Sequence, residues 1–191
     1  KLKSMGPGVI QPVMQALADA DKNATVALVD VLSAHVTNKT FPQFVEGLCE
    51  GGPRISAGIA WALTSSRAYS PGLLLDALNV KGVSKSALMD VIQAQRDRFN
   101  LRELLKAAYS QEANEKAALF RVIADAATAD SLGELTSRLE GKDPIARMHI
   151  INILSRFNQP EVKRALQTQL RDNNKMIRSA ALAALARMDG P

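Results

Sequence analysis

The sequence predicts an all-α fold, about six helical hairpins stacked in a row with a period of about 30 residues. Three observations carry that prediction. Alanine and leucine dominate a chain of 191 residues in which 47% are apolar and only 4% aromatic, a composition that favours helices. No long stretch alternates apolar and polar residues, so nothing reads as a strand. The stretch Val162–Arg187 is a template for the rest: V-x-x-A-L-x-x-x-L, the polar turn R-D-N-N-K, then M-I-R-S-A-A-L-A-A-L-A-R.

Laid back over the chain, the template gives the elements in order. Residues 1–8 read as the tail of a preceding segment. Leu2 and Met5 suit the last turn of an earlier helix, which Gly6, Pro7 and Gly8 break. Residues 9–191 read as a single repeat domain, with repeats starting near 9, 41, 71, 101, 132 and 162. Repeat one has helix A near Val9–Ala18 and helix B near Ala24–Val36. Repeat two begins at Phe41, turns at C-E-G-G-P, and has helix B near Arg54–Ser66. Repeat three begins near Pro71, turns around Gly82, and has helix B near Ser84–Arg96. Repeat four begins at Leu101, with helix B near Asn114–Ala127. Repeat five begins at Leu132 and turns at E-G-K-D-P, where Pro144 suits a first helical position. The first anchors of the A helices, Ile10, Phe41, Pro71, Leu101, Leu132 and Val162, recur every 30 or 31 residues.

Aligned B helices give columns of distinct character. Leu32, Leu63, Ile92, Ile123, Leu154 and Leu185 form one apolar column. Leu28, Ile59, Leu88, Leu119, Ile150 and Ala181 form a second. Val29, Ala60, Met89, Phe120, Ile151 and Leu182 form a third. These positions lie three and four residues apart, so each helix carries one apolar stripe. A fourth column is small except at one place: Ala27, Gly58, Ala87, Ala118, His149, Ala180. A single hairpin cannot bury its stripe, and stacking on neighbours does.

The runs R-D-N-N-K-M-I-R-S-A-A-L-A-A-L (Arg171–Leu185) and G-K-D-P-I-A-R (Gly141–Arg147) resemble HEAT repeats. That resemblance spans about Val9 to Arg187. It implies a right-handed α-solenoid whose B helices line a concave wall. It also implies ladders between an acidic residue in the inter-helix turn and a basic residue early in helix B. Asp172 and Arg178 match both positions. Arg147, Lys116 and Lys85 match the basic one, and Asp19 and Glu50 the acidic one. Thr25 and Ser56 depart from the basic position in the early repeats. The family is a general binding scaffold, so the resemblance speaks to architecture rather than to one activity.

Little in the sequence supports chemistry. Gly51-Gly52-Pro53 is an inter-helix turn, not a phosphate loop after a strand. His35 and His149 lie in different repeats and no Cys/His cluster has metal spacing, so neither a cofactor nor a metal is expected. This also counts against the metal-dependent hydroxylases built from HEAT-like repeats. HEAT-like DNA glycosylases need aromatic residues around a carboxylate, and the chain has one tryptophan. Cys49, flanked by Glu46 and Glu50, reads as a small hydrophobe at a helix end rather than a reactive thiol. With one cysteine no internal disulfide forms, which fits a reducing, cytoplasmic setting. No apolar run reaches the roughly 18 residues of a membrane span. Lys1 is not a start methionine, so the chain reads as an excerpt or a processed piece.

The expected function is therefore a non-catalytic scaffold. It would bind a partner protein, or another domain of the same chain, along the concave helix-B wall. The column Asp30, Trp61, Asp90, Arg121, Asn152, Ala183 is mostly polar and faces that wall. Two columns beyond it, one of Ser33, Thr64, Gln93, Ala124, Ser155 and Ala186 and one ending in Arg156 and Arg187, are small and polar. Trp61, Asp90, Arg121, Asn152, Arg156 and Arg187 are the expected contact residues: Trp61 as an apolar anchor, the arginines for acidic or backbone groups. Trp61 also has a plain reading, as a ring folded over the neighbouring repeat. The arginines at the helix ends have one too, as cations favoured by the helix dipole. His149 either fills space between repeats four and five or meets a ligand. The alternative function is nucleic-acid binding through the C-terminal half. The net charge is +5, and residues 96–191 hold sixteen basic and twelve acidic groups against eight and seven before them. A HEAT-like lyase or glycosylase is a third reading.

Overall fold

A computed structural model of the protein describes residues 1–190. Among them are twelve α-helices, joined by turns and short 3-10 segments, and no strand. The chain forms two compact units, Lys1–Phe99 and the residues from Asn100 onward.

The first unit holds three hairpins. They are α1 (Ile10–Ala16) with α2 (Lys22–Ala34), α3 (Phe41–Glu50) with α4 (Pro53–Thr64), and α5 (Gly72–Ala77) with α6 (Lys85–Ala94). The second holds α7 (Leu101–Ser110) with α8 (Ala113–Ala126), α9 (Leu132–Thr136) with α10 (Pro144–Leu154), and α11 (Pro160–Gln169) with α12 (Lys175–Asp189). Local chemistry sets the starts. Asp21, Asn100, Asp143 and Asn174 each cap a helix through a side-chain oxygen, and Asn100 forms a capping box with Glu103. Proline occupies the first helical position of α4, α10 and α11, where its missing N–H costs nothing.

Each second helix packs on its hairpin partner and on the second helix of the next hairpin in the same unit: α2 on α4 on α6, and α8 on α10 on α12. The interior stripes are sealed. Ile59 and Leu63, Leu88 and Ile92, Leu119 and Ile123, and Ile150 and Leu154 are all fully buried. At about 1.5–3 kcal/mol for each large apolar side chain, two such residues per helix offset much of the ordering cost of a hairpin. The small column has a steric reason at Gly58. A Cβ there would lie 2.6 Å from Leu17 Cδ1, at the end of α1, so any larger residue has to displace that side chain.

Leu182 does not follow its column. It stands in the register of Val29, Phe120 and Ile151, which are buried, yet it is 62% exposed. On α12 the buried positions are Ile177, Ala181, Ala184 and Met188, which face inward. No described helix covers the opposite side. The stretch before α1 makes two short 3-10 turns, Leu2–Ser4 and Pro7–Val9. It lies along α2, where Lys3 pairs with Asp30 and the Leu2 carbonyl sits 3.1 Å from His35 Nε2.

Polar groups tie neighbouring hairpins together, differently in the two units. In the second unit the ladder is ionic. Lys116 on α8 pairs with Asp143 in the following hairpin (2.5 Å), and Arg147 on α10 pairs with Asp172 in the next (2.6 Å). Arg178 turns to the Asp172 and Asn173 carbonyls. In the first unit Arg54 donates to the carbonyls of Ala18 and Ala20. There too, buried Gln95 donates to the Leu63, Thr64 and Ser66 carbonyls at the end of α4. Its own carbonyl accepts from Tyr69 and Arg98.

Candidate functional site

Every residue of the polar column is exposed: Asp30, Trp61, Asp90, Arg121, Asn152 and Ala183. In the first unit Trp61 projects from α4 with 47% of its surface in water, so half of the ring is covered and half is free. Asp90 is exposed on α6, whereas Asp30 is taken up by Lys3.

In the second unit the sequence-selected residues cluster. Arg121 on α8, with Asn152 and Arg156 at the end of α10, line one cavity of about 220 Å³, together with Phe120 and His149. The floor is aromatic. The His149 imidazole stacks on Phe120, with centroids 4.9 Å apart and the planes 12° from parallel. His149 thus fills the space that a small residue leaves elsewhere in its column, and it also borders an open cavity. Burial, with the nearby Lys116 ammonium, holds its pKa below the usual histidine range against the pull of Asp143, so the ring is neutral at pH 7. Phe120 was assigned to the core from the sequence, and nothing in the one-dimensional pattern marked it as the platform of a cavity.

The charges divide into spent and unspent. Lys116, Arg147, Arg138, Arg102 and Lys163 pair with carboxylates of this chain. Arg187 donates to Asn152 Oδ1 (3.2 Å) and Ser155 Oγ (3.1 Å), which fixes its guanidinium across the ends of α10 and α12. Among the described residues Arg121 and Arg156 make no ion pair and no side-chain hydrogen bond. Two free guanidiniums and an amide lining one cavity suit carboxylate or phosphate oxygens. Asn152 Oδ1 accepts from Arg187, which leaves its NH₂ as a further donor on a residue that lines the cavity.

Among the described residues no group of three His, Cys, Asp or Glu side chains is placed to hold a metal. Among them, no helix is long and apolar enough to cross a membrane.

Compared with known proteins, residues 101–186 match the HEAT-repeat family model. No curated protein and no solved structure matches the chain. The matched span begins at the first residue of α7 and ends inside α12, so it coincides with the three hairpins of the second unit. HEAT repeats are commonly scaffolds for protein interaction. With stacked helical hairpins, an inter-repeat ladder and this family match, residues 101–186 are HEAT repeats.

Proposed function

We propose that this chain is a non-catalytic interaction scaffold, and that its second unit holds an acidic stretch of a partner protein, or of another domain of the same polypeptide. The stretch would lie along the exposed side of α8, α10 and α12. One observation carries the reading: Arg121 and Arg156 stand unpaired at a shared cavity while their basic neighbours are neutralised within the fold. Trp61 and Asp90 offer a separate contact on the first unit, with Trp61 as the apolar anchor. A reducing, cytoplasmic setting is part of the same proposal.

Nucleic acid is the competing occupant. Binders of single strands stack bases on aromatic side chains. The exposed large hydrophobic residues of the second unit are Ile145, Met176 and Leu182, none of them aromatic, which favours a peptide.

The test is fluorescence anisotropy on the full chain with labelled glutamate-rich, neutral and lysine-rich peptides of equal length, and with single- and double-stranded oligonucleotides. The proposal expects selective binding of the acidic peptide. An Arg121→Glu, Arg156→Glu double variant should lower that affinity more than tenfold with an unchanged melting temperature. Equal binding of all three peptides, or wild-type affinity in the double variant, would refute it. Binding of oligonucleotides with a steep salt dependence would replace it with the alternative.

A further inference from the structure

The exposed side of the second helices in the first unit has a charge pattern of its own. Beyond their first two residues, α2, α4 and α6 carry no lysine or arginine, and their charged side chains are Asp30 and Asp90 alone. Arg54, at the start of α4, is turned to the carbonyls of Ala18 and Ala20. Asp30, Trp61 and Asp90 hold one register on three helices that pack in succession, so the indole stands between two carboxylates. Around them Ala34, Ala57, Ser65, Ser86 and Ala94 are small and exposed, which leaves room for a ligand side chain to reach the ring.

A cation already sits on this wall. The stretch before α1 seats Lys3 on Asp30. Both side chains are more than half exposed, so the pair is a surface contact that contributes little to stability. It shows that this face draws a basic side chain from outside its own helices. Asp90 has no such partner: among the described residues it makes no ion pair and no side-chain hydrogen bond. Beside it Trp61 is half exposed and offers a free ring face. An indole is the best aromatic partner for a cation, and a neighbouring carboxylate adds the opposite charge. Of the two basic side chains, arginine suits this pair. Its planar guanidinium is weakly hydrated, stacks on aromatic faces and offers a carboxylate two parallel N–H donors, whereas a lysine ammonium is a compact, strongly hydrated point charge.

We infer that the exposed wall of the first unit binds an arginine-bearing segment of a partner protein. One guanidinium lies on the free face of the Trp61 indole and directs its N–H fork at the Asp90 carboxylate. This gives a chemistry to the separate contact proposed for Trp61 and Asp90. It rests on the scaffold reading but not on the arginine-lined cavity of the second unit, which takes the opposite charge. Packed helices lie about 8–10 Å apart and an extended chain advances about 3.3 Å per residue, so a second arginine about three residues away reaches the level of Asp30, where it competes with Lys3.

The experiment is a titration of the full chain, at constant ionic strength, with a glycine–serine peptide carrying arginine at every third position. Trp61 is the only tryptophan, so its fluorescence reports on the site directly. A saturable change is expected. The same peptide with lysine in place of arginine should bind at least about fivefold more weakly, because an ammonium neither stacks nor forks. A glutamate version should leave the fluorescence unchanged. Asp90→Asn alters an exposed side chain and keeps the fold, and it should lower the affinity by about tenfold or more, the usual worth of a hydrogen bond between charged groups. By calorimetry Trp61→Ala should lower it by about thirtyfold, as loss of an aromatic anchor does, and Trp61→Phe should recover part of that loss. The Arg121→Glu, Arg156→Glu variant should bind the arginine peptide as wild type does, so the two surfaces stand or fall separately. Equal affinity for the arginine and lysine peptides, wild-type affinity in Asp90→Asn or in Trp61→Ala, or a fluorescence change that does not saturate would overturn the inference.

Discussion

Replacing Gln95 by leucine should cost the first unit about 3–4 kcal/mol. The side chain is 1% exposed, so its amide is entirely committed to the protein. Its NH₂ lies 2.9 Å from the Leu63 carbonyl, 3.0 Å from Thr64 and 2.8 Å from Ser66. Two hydrogens serve these three acceptors, so two full bonds are lost, at about 1 kcal/mol each. Its carbonyl accepts from Arg98 Nη1 at 2.9 Å, a charge-assisted bond of about 1.5 kcal/mol. Leucine restores the volume but none of the polarity. The Leu63 carbonyl keeps the Tyr69 hydroxyl and the Ser66 amide, which limits the loss. Urea unfolding followed by tryptophan fluorescence is the assay. Trp61, the only tryptophan, lies on the helix whose end Gln95 satisfies. An unchanged m-value with a midpoint shift equivalent to less than about 1 kcal/mol would refute the idea that this amide clamps α6 to α4.

Other predictions follow from the same geometry. Burial works to raise the Asp143 pKa, but the Lys116 ammonium and the Ala146 N–H outweigh it and hold the carboxyl below the usual range. A depressed folded pKa stabilises above the unfolded value of about 3.9 and is lost as pH falls through the folded one. The melting-temperature gap between wild type and Asp143→Asn should therefore be widest near pH 7 and shrink below about pH 4. A gap that is flat from pH 7 to 3 would contradict the pairing. Gly58→Ala gains about 1 kcal/mol of helix propensity but drives a methyl into Leu17, at about 1–3 kcal/mol. A net loss of about 1 kcal/mol by thermal melting is expected, and a gain in stability would mean that α1 yields freely. Trp61→Ala should cost the first unit about 1–2 kcal/mol, because half of the ring is covered and alanine regains only helix propensity. For a ligand contacting the first unit it should weaken binding by about 2 kcal/mol or more, measured by calorimetry, and wild-type affinity would remove Trp61 from the surface.

The helices were legible because their period repeats. Ile59, Leu88, Leu119 and Ile150 occupy one column of the sequence and are all fully buried. Helix ends fall within one or two residues of those read from caps and prolines. Leu182 shows the limit. Its column is greasy, but burial needs a covering neighbour, and that is a property of the stack rather than of the helix. Exposure of Trp61, Asp90, Arg121, Asn152, Arg156 and Arg187 was readable from polarity at helical spacing. Which arginines were free was not. Arg147 and Arg156 look alike in sequence, and only folding brings Asp172 and Gln169 to the first and nothing to the second. The Gln95 clamp was invisible for a related reason. Three of its partners are backbone carbonyls, which every residue type provides.

Arg147 draws both of its contacts, Gln169 and Asp172, from residues some twenty positions downstream, while its Nε is sealed away with no acceptor. A shortened version of the protein that stops after α10 would therefore keep a cation inside and discard everything that neutralises it. Anyone dissecting the array should expect such a fragment to fold poorly or stick to itself. The sounder place to cut lies before Asn100, where one compact unit ends, so that Lys116 and Arg147 both keep their counter-ions.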